Sequence, residues 1–218
     1  MVMNSNPKTT PKPEFSNPPR RPLQRHANVV PSFTESVGSF VVEVAKVVVI
    51  ALAIIIPVRY FLIQPFYVKG ASMEPNFYDN EYLVIDEVSY RFHAPNRGDV
   101  VVIRNPRRES DFLIKRVIGL PGERVEIINS GVNIYNGDNP NGFTIDESSY
   151  LTPDVRTHGT LDVKLGPNEF FVLGDNRDSS LDSRYLGPVE KRNIVGRAWV
   201  RAWPVTRLSI FSSPKYSD

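Results

Sequence analysis

Ser72 lies in "VKGASMEPN", residues Val68 to Asn76, behind a glycine and an alanine and ahead of Met-Glu-Pro. Gly, Ser, Asn and Pro are turn residues, so the stretch reads either as a plain turn or as an exposed hydroxyl set to attack an acyl carbon. A serine hydroxyl is a poor nucleophile until a base removes its proton. Histidine is the usual base, but His93 in "RFHAP" and His158 in "RTHG" both lie in polar loop sequence. The pattern Gly-x-Ser-x-Glu also lacks the second glycine of a nucleophile elbow. A neutral lysine can serve instead. "DFLIKRVIGLPGE" sets Lys115 beside Arg116 in an otherwise apolar run. Side chains alternate along a strand, so the two point to opposite faces and one lies toward the apolar side. Burial there disfavours an ammonium and lowers its pKa; the arginine cannot deprotonate and is structural. The alternative is a snorkelling pair on an edge strand. "GDNRDSSLDSRYLGPV", residues 174–189, is either a solvated turn or a polar wall locked by its own hydrogen bonds and ion pairs.

These groups need elements to hold them. Strands are expected in "EYLVIDEVSY", "GDVVVIRNP", "DFLIKRVIGL", "ERVEIINSGVNIYNG", "NEFFVLGDN" and "NIVGRAWVRAW", each rich in Val, Ile and aromatics and bounded by turn residues. The fold class is therefore mostly β: antiparallel sheet or barrel over residues 65–135 and 165–212. The polar stretch 136–164 forms an inserted cap or a long loop. Residues 1–38 carry seven prolines and the basic residues Lys8, Lys12, Arg20, Arg21 and Arg25, which predicts a disordered tail. The apolar run from Val44 to Ile63 gives about 30 Å of helix, enough to cross a bilayer. Lys46 and Arg59 would snorkel at its ends, with Tyr60 and Phe61 at the far interface. A cleaved signal peptide is disfavoured, because roughly forty residues precede the run. The positive-inside rule keeps the basic tail in the cytoplasm and sends everything after Gln64 outside.

Composition narrows the chemistry. The chain has no cysteine, which removes thiol nucleophiles and thiolate metal sites, and its three histidines are far apart. We expect no metal and no cofactor. A net charge of +2, with scattered basic residues, gives no footprint for nucleic acid. A monomer is expected.

"GASMEP", "FLIKRVIGLPGE" and "GDNRDSSLDSRYLGPV", in this order behind an N-terminal anchor, resemble the signature boxes of type I signal peptidases, over residues 44–210. The resemblance implies a membrane-bound Ser/Lys endopeptidase that removes signal peptides from exported precursors, in a bacterial plasma membrane or a thylakoid. Ser72 resembles the nucleophile and Lys115 the general base. Ser180 resembles the hydroxyl that orients the lysine, and Asp182 and Arg184 an ion pair bracing the site. The backbone of Ser72 would donate to the oxyanion. Gly70 stands where some members carry a serine for that task, which leaves the second donor open. Phe66, Val68, Met73, Phe77, Leu113 and Ile114 would form shallow pockets that admit small residues, giving an Ala-x-Ala preference. Two rivals remain: a catalytically inactive anchored β-domain that binds or assembles partners, and a self-cleaving Ser/Lys regulator, for which no DNA-reading domain is evident. A Ser-x-x-Lys pattern occurs at Ser212 to Lys215, where Pro214 argues against it.

Overall fold

The computed structural model describes residues 33–57, 63–214 and 216. The chain divides into two compact units, residues 1–47 and 48–218, with the boundary inside the first helix. The tail up to residue 32, the flank Arg59–Phe61 and Lys215 lie outside the described residues.

Helix α1 spans Phe33–Pro57, and its stretch Val37–Ile56 is long and apolar enough to cross a membrane. It differs from the expected span at both ends. It takes in residues 33–38, which proline-rich composition assigned to the tail, and Ile63 opens a strand instead of closing the helix. Val47, Ile50 and Ile54 are exposed, a continuous apolar surface that water would penalise.

The strands are β1 (Ile63–Tyr67), β2 (Tyr82–Asp86), β3 (Val100–Arg104), β4 (Phe112–Gly119), β5 (Arg124–Ile128) and β6 (Gly131–Tyr135). They continue with β7 (Phe143–Thr144), β8 (Leu161–Lys164), β9 (Glu169–Leu173), β10 (Val189–Glu190), β11 (Ile194–Trp203) and β12 (Ser209–Ile210). The larger sheet runs β1-β2-β11-β3-β4-β9-β10, with β12 on β11, and every pairing is antiparallel. The fold is thus mostly β, as the strand pattern predicts.

Strand β3 reads Val-Val-Val-Ile-Arg, and its first four residues are all buried. Val100 and Val102 join Val68, Met73, Phe77, Leu83 and Ile85 in one cluster, while Val101 and Ile103 join Val117, Phe170 and Val172 in another. Both faces are therefore covered, which is why the run is uninterrupted instead of alternating. Its neighbour β4 has β9 on its other side, so β4 is interior too. This disposes of the edge-strand reading of Lys115 and Arg116.

A smaller sheet, β7-β6-β5-β8, holds residues on both sides of position 136. Its β5–β6 hairpin turns at Asn129 and Ser130, both at positive φ, as a two-residue turn between twisted strands requires. Val125, Ile127, Val132 and Ile134 pack on Ile118, Phe171 and Leu173 of the larger sheet. The stretch 136–164 supplies β7 and β8 to this sheet, and between them a turn-rich passage reaches back to the larger one.

Candidate active site

Ser72 sits on the turn that leaves β1. Asn76 and Phe77 both donate their backbone N–H to Met73 O, at 3.0 and 2.9 Å, which closes the turn just after the serine. Before it, Gly70 adopts φ +93°, a region that suits glycine, and its N–H is taken by Asp79 Oδ1 at 2.8 Å. Below the turn, buried Glu81 pairs with Arg201 at 2.8 Å and Arg207 at 2.7 Å, and its carbonyl accepts from Val68 N–H.

Lys115 approaches from β4. Its Nζ lies 2.8 Å from Ser72 Oγ and 2.7 Å from Ile114 O. The side chain is 1% exposed, and burial lowers its pKa from 10.5 to about 8, against the opposing pull of the Asp182 and Asp175 charges. A lysine in this state gives up its proton near neutrality. An ordinary surface lysine does not.

Arg116 points the other way and is buried as well. Its fork binds Asp175 at 2.8 and 2.6 Å, it donates to Gly98 O at 2.9 Å, and it lies 4.0 Å over the Tyr150 ring. Removing one partner of a buried ion pair strands the other charge and costs about 3–5 kcal/mol. Asp175→Ala is therefore expected to lower the unfolding free energy by about that amount, read from the urea midpoint at unchanged m.

The segment after β9 closes the site. Gly174 packs against the nucleophile's own backbone: a Cβ there would come within 2.5 Å of Ser72 O and closer still to Ser180 Oγ. Asn176 donates its backbone N–H to Ser72 O at 3.1 Å and its Nδ2 to Ala71 O at 3.0 Å. Asp182 accepts from Gly174 N–H at 3.0 Å and from the Arg184 fork at 2.9 Å. Burial alone would push the Asp182 carboxyl up; the Arg184 fork and the Gly174 N–H outweigh it and hold the group below the usual carboxylate range. Ser180 Oγ is buried with no partner at full hydrogen-bond geometry, though its hydroxyl is close enough to Asp182 to help lower it. The two bonds of Lys115 Nζ go to Ser72 and Ile114, and none goes to Ser180.

Beside Ser72 and Lys115 lies a cavity of about 90 Å³, walled by Phe66, Val68, Leu113 and Ile114 together with Leu83 and Val102. Met73 and Phe77, expected in the same walls, are instead 1% exposed and belong to the core. A turn has no period from which to tell inward from outward side chains. His93 is exposed, and His158 meets Asp178 at 3.4 Å on the surface; neither lines the cavity at Ser72. Asn76, Asp175, Arg177 and Glu147 escaped the residue-level reading, although the first three stand inside or at the end of the quoted boxes. Ser72 N–H makes no hydrogen bond among the described residues, which leaves it free to donate to a substrate oxygen.

The model of the family described as signal peptidase, peptidase S26, matches residues 41–203. A probable signal peptidase I-2 of Synechocystis sp. is 37% identical over 176 residues, covering 78% of this chain and 77% of that one. Signal peptidase I of Leptolyngbya laminosa is 36% identical over 180 residues, covering 79% and 84%. Among solved structures, a signal peptidase I from Enterococcus faecalis V583 is 28% identical, with a TM-score of 0.40, covering 48% of this chain and 97% of that one.

Proposed function

The chain belongs to the signal peptidase family, peptidase S26, and is a serine endopeptidase of the signal peptidase I type; on that premise we propose that Ser72 and Lys115 cut signal peptides from precursor proteins at a membrane. The observation that carries this reading is the 2.8 Å contact between Ser72 Oγ and a lysine amine that burial brings to a pKa of about 8.

Neutral Lys115 Nζ accepts the hydroxyl proton as Ser72 Oγ attacks the carbonyl carbon of the scissile bond. The oxygen that becomes negative meets the unengaged Ser72 N–H. When the C–N bond breaks, Lys115 returns the proton to the leaving amine, and the acyl group stays on Ser72 as an ester. A water molecule then loses a proton to Lys115 Nζ as it attacks the ester carbonyl, and Lys115 passes that proton to Ser72 Oγ as the ester C–O bond breaks, which releases the acid and regenerates the serine. Ile114 O, accepting from Nζ, keeps the amine aimed through both steps.

Specificity for small residues, of the Ala-x-Ala kind, is supported by the size of the 90 Å³ cavity and its apolar walls. Among the described strands β1 ends its sheet, so an extended substrate can add to it by main-chain hydrogen bonds. The apolar stretch of α1 supports anchoring, with the N-terminal tail cytoplasmic and the β domain outside, where precursors emerge. Asp182 and Arg184 would fix the wall beside Lys115, with Ser180 set against Gly174.

The test incubates detergent-solubilised protein with a precursor bearing Ala-x-Ala, between pH 6 and 10. Cleavage is expected to rise through about pH 8, since about a tenth of a base with that pKa is neutral at pH 7 and about nine tenths at pH 9. His93→Ala combined with His158→Ala is expected to keep wild-type activity. A flat profile, or loss of activity in the histidine variant, would count against the lysine.

A further inference from the structure

We propose that the turn Glu147–Tyr150, between β7 and β8, is the positioning element of the active site, and that Glu147 is its decisive residue. The turn joins the smaller sheet to all three segments that carry the proposed chemistry. Tyr150 O accepts from Asn76 Nδ2 at 2.7 Å, which ties it to the nucleophile turn. The Tyr150 ring lies 4.0 Å under the Arg116 guanidinium, which ties it to the lysine strand. Glu147 binds the Arg177 fork with both carboxylate oxygens, one of them at 2.8 Å, which ties it to the segment after β9.

The third tie reaches closest to the reacting atoms. Arg177 is 3% exposed. Its Nε donates to Gly174 O at 3.0 Å, and its own carbonyl accepts from Arg184 Nη2 at 2.7 Å. Gly174 is the residue packed on the Ser72 carbonyl. The chain of contacts thus runs from Glu147 to Arg177 to Gly174 through charge-assisted hydrogen bonds, which hold geometry well in a buried setting, and from Gly174 to Ser72 by close packing. Glu147 also closes its own turn, accepting from the Tyr150 hydroxyl at 2.7 Å, while its carbonyl accepts the Tyr150 and Leu151 N–H groups. Glu147 touches none of the reacting atoms. Its part is to hold Gly174, and so the wall beside Lys115, in one place.

The inference rests on the peptidase reading above. Removing the carboxylate leaves Arg177 with Thr157 Oγ1 and Gly174 O as its remaining acceptors and lets the wall move, and a displacement of about 1 Å at reacting groups costs about 100-fold in rate. Full-length Glu147→Ala is expected to lose about 10- to 100-fold in kcat, with KM within about twofold of wild type. The groups that act on Lys115 are the Ser72 hydroxyl from the nucleophile turn and the Asp182 and Asp175 carboxylates from the segment after β9; Arg116, beside it on β4, points to the opposite face. Water admitted at the loosened wall relieves desolvation, so the alkaline rise of kcat/KM should shift upward by about one pH unit. Because Glu147→Ala leaves a buried arginine unpaired, a second variant decides the matter if it melts below assay temperature. Glu147→Leu with Arg177→Met replaces both charges by apolar groups, a change that buried pairs often tolerate, while removing the hold on Gly174.

A folded double variant with lowered kcat, unchanged KM and a shifted pH profile supports the proposal. A folded double variant with wild-type kcat and profile, or with a change in KM alone, overturns it. An inactive wild type, or activity that survives Lys115→Met, would instead overturn the peptidase reading and this inference with it.

Discussion

Lys115→Met is expected to leave a folded protein whose kcat/KM is lower by at least about 1,000-fold, since a positioned base contributes about 100- to 10,000-fold and here it acts in both half-reactions. The same substitution carries a second, independent signature in stability. Burial holds the Lys115 amine at a pKa of about 8 in the folded chain, against 10.5 ordinarily. Below pH 8 the amine is protonated in both states, and the folded state bears the full cost of burying the charge. That cost is about 3 kcal/mol at 1.36 kcal/mol per pH unit. Between about pH 8 and 10.5 the unfolded chain still holds a proton that the folded chain has released, so wild-type stability climbs with pH. Above that window the penalty is gone. Methionine has no such window. It forfeits the bonds to Ser72 and Ile114, worth about 1–2 kcal/mol together, which offsets part of its advantage at pH 7. The diagnostic is therefore the slope: unfolding free energy of wild type minus variant should rise by about 3 kcal/mol between pH 8 and 10.5. Urea titrations across that range measure it. No change in the difference would mean that the amine is solvated and no base.

Much of this site is legible before any coordinates, for reasons that are physical and local. Lys115 stands among Leu113, Ile114, Val117 and Ile118, so any strand that buries them must desolvate the amine. Ser72 follows a glycine and an alanine, where a turn can bring its backbone close to another chain segment. Asp182 and Arg184 are two residues apart and find each other within one tight turn. What stays hidden depends on long-range partners. Arg116 is buried like Lys115 only because Asp175, some sixty residues later, and the Tyr150 ring cover the opposite face of β4; alternation alone leaves one of the two outside. Glu147 and Arg177 lie thirty residues apart, in sequence that reads as solvated loop. Nothing local distinguishes them from the exposed Asp178 and Ser179 nearby. The start of α1 is hidden for a different reason: residues 33–38 are helical without an apolar period, carried by the helix that follows them.

Ser72→Ala is expected to reduce kcat by on the order of a million-fold, as removal of the nucleophile does in other serine peptidases. The stronger form of the prediction concerns the pair. If Ser72 Oγ and Lys115 Nζ, 2.8 Å apart, act only through the proton they exchange, removing either one disables the other. Ser72→Ala combined with Lys115→Met should then be no slower than Ser72→Ala alone, within about threefold, whereas independent contributions would multiply to a further loss of about 1,000-fold. The residual rate of the two variants that lack Ser72 should be equal and insensitive to pH between 7 and 9, because the amine has no nucleophile left to serve. Trapping gives the structural half of the test. With precursor in single turnover, wild type should accumulate an ester on Ser72 that mass spectrometry detects after acid quench, and Ser72→Ala should show no acyl adduct at any position. An adduct on another residue, or a double variant much slower than either single one, would separate the hydroxyl from the amine. The contact between them would then be packing without chemistry.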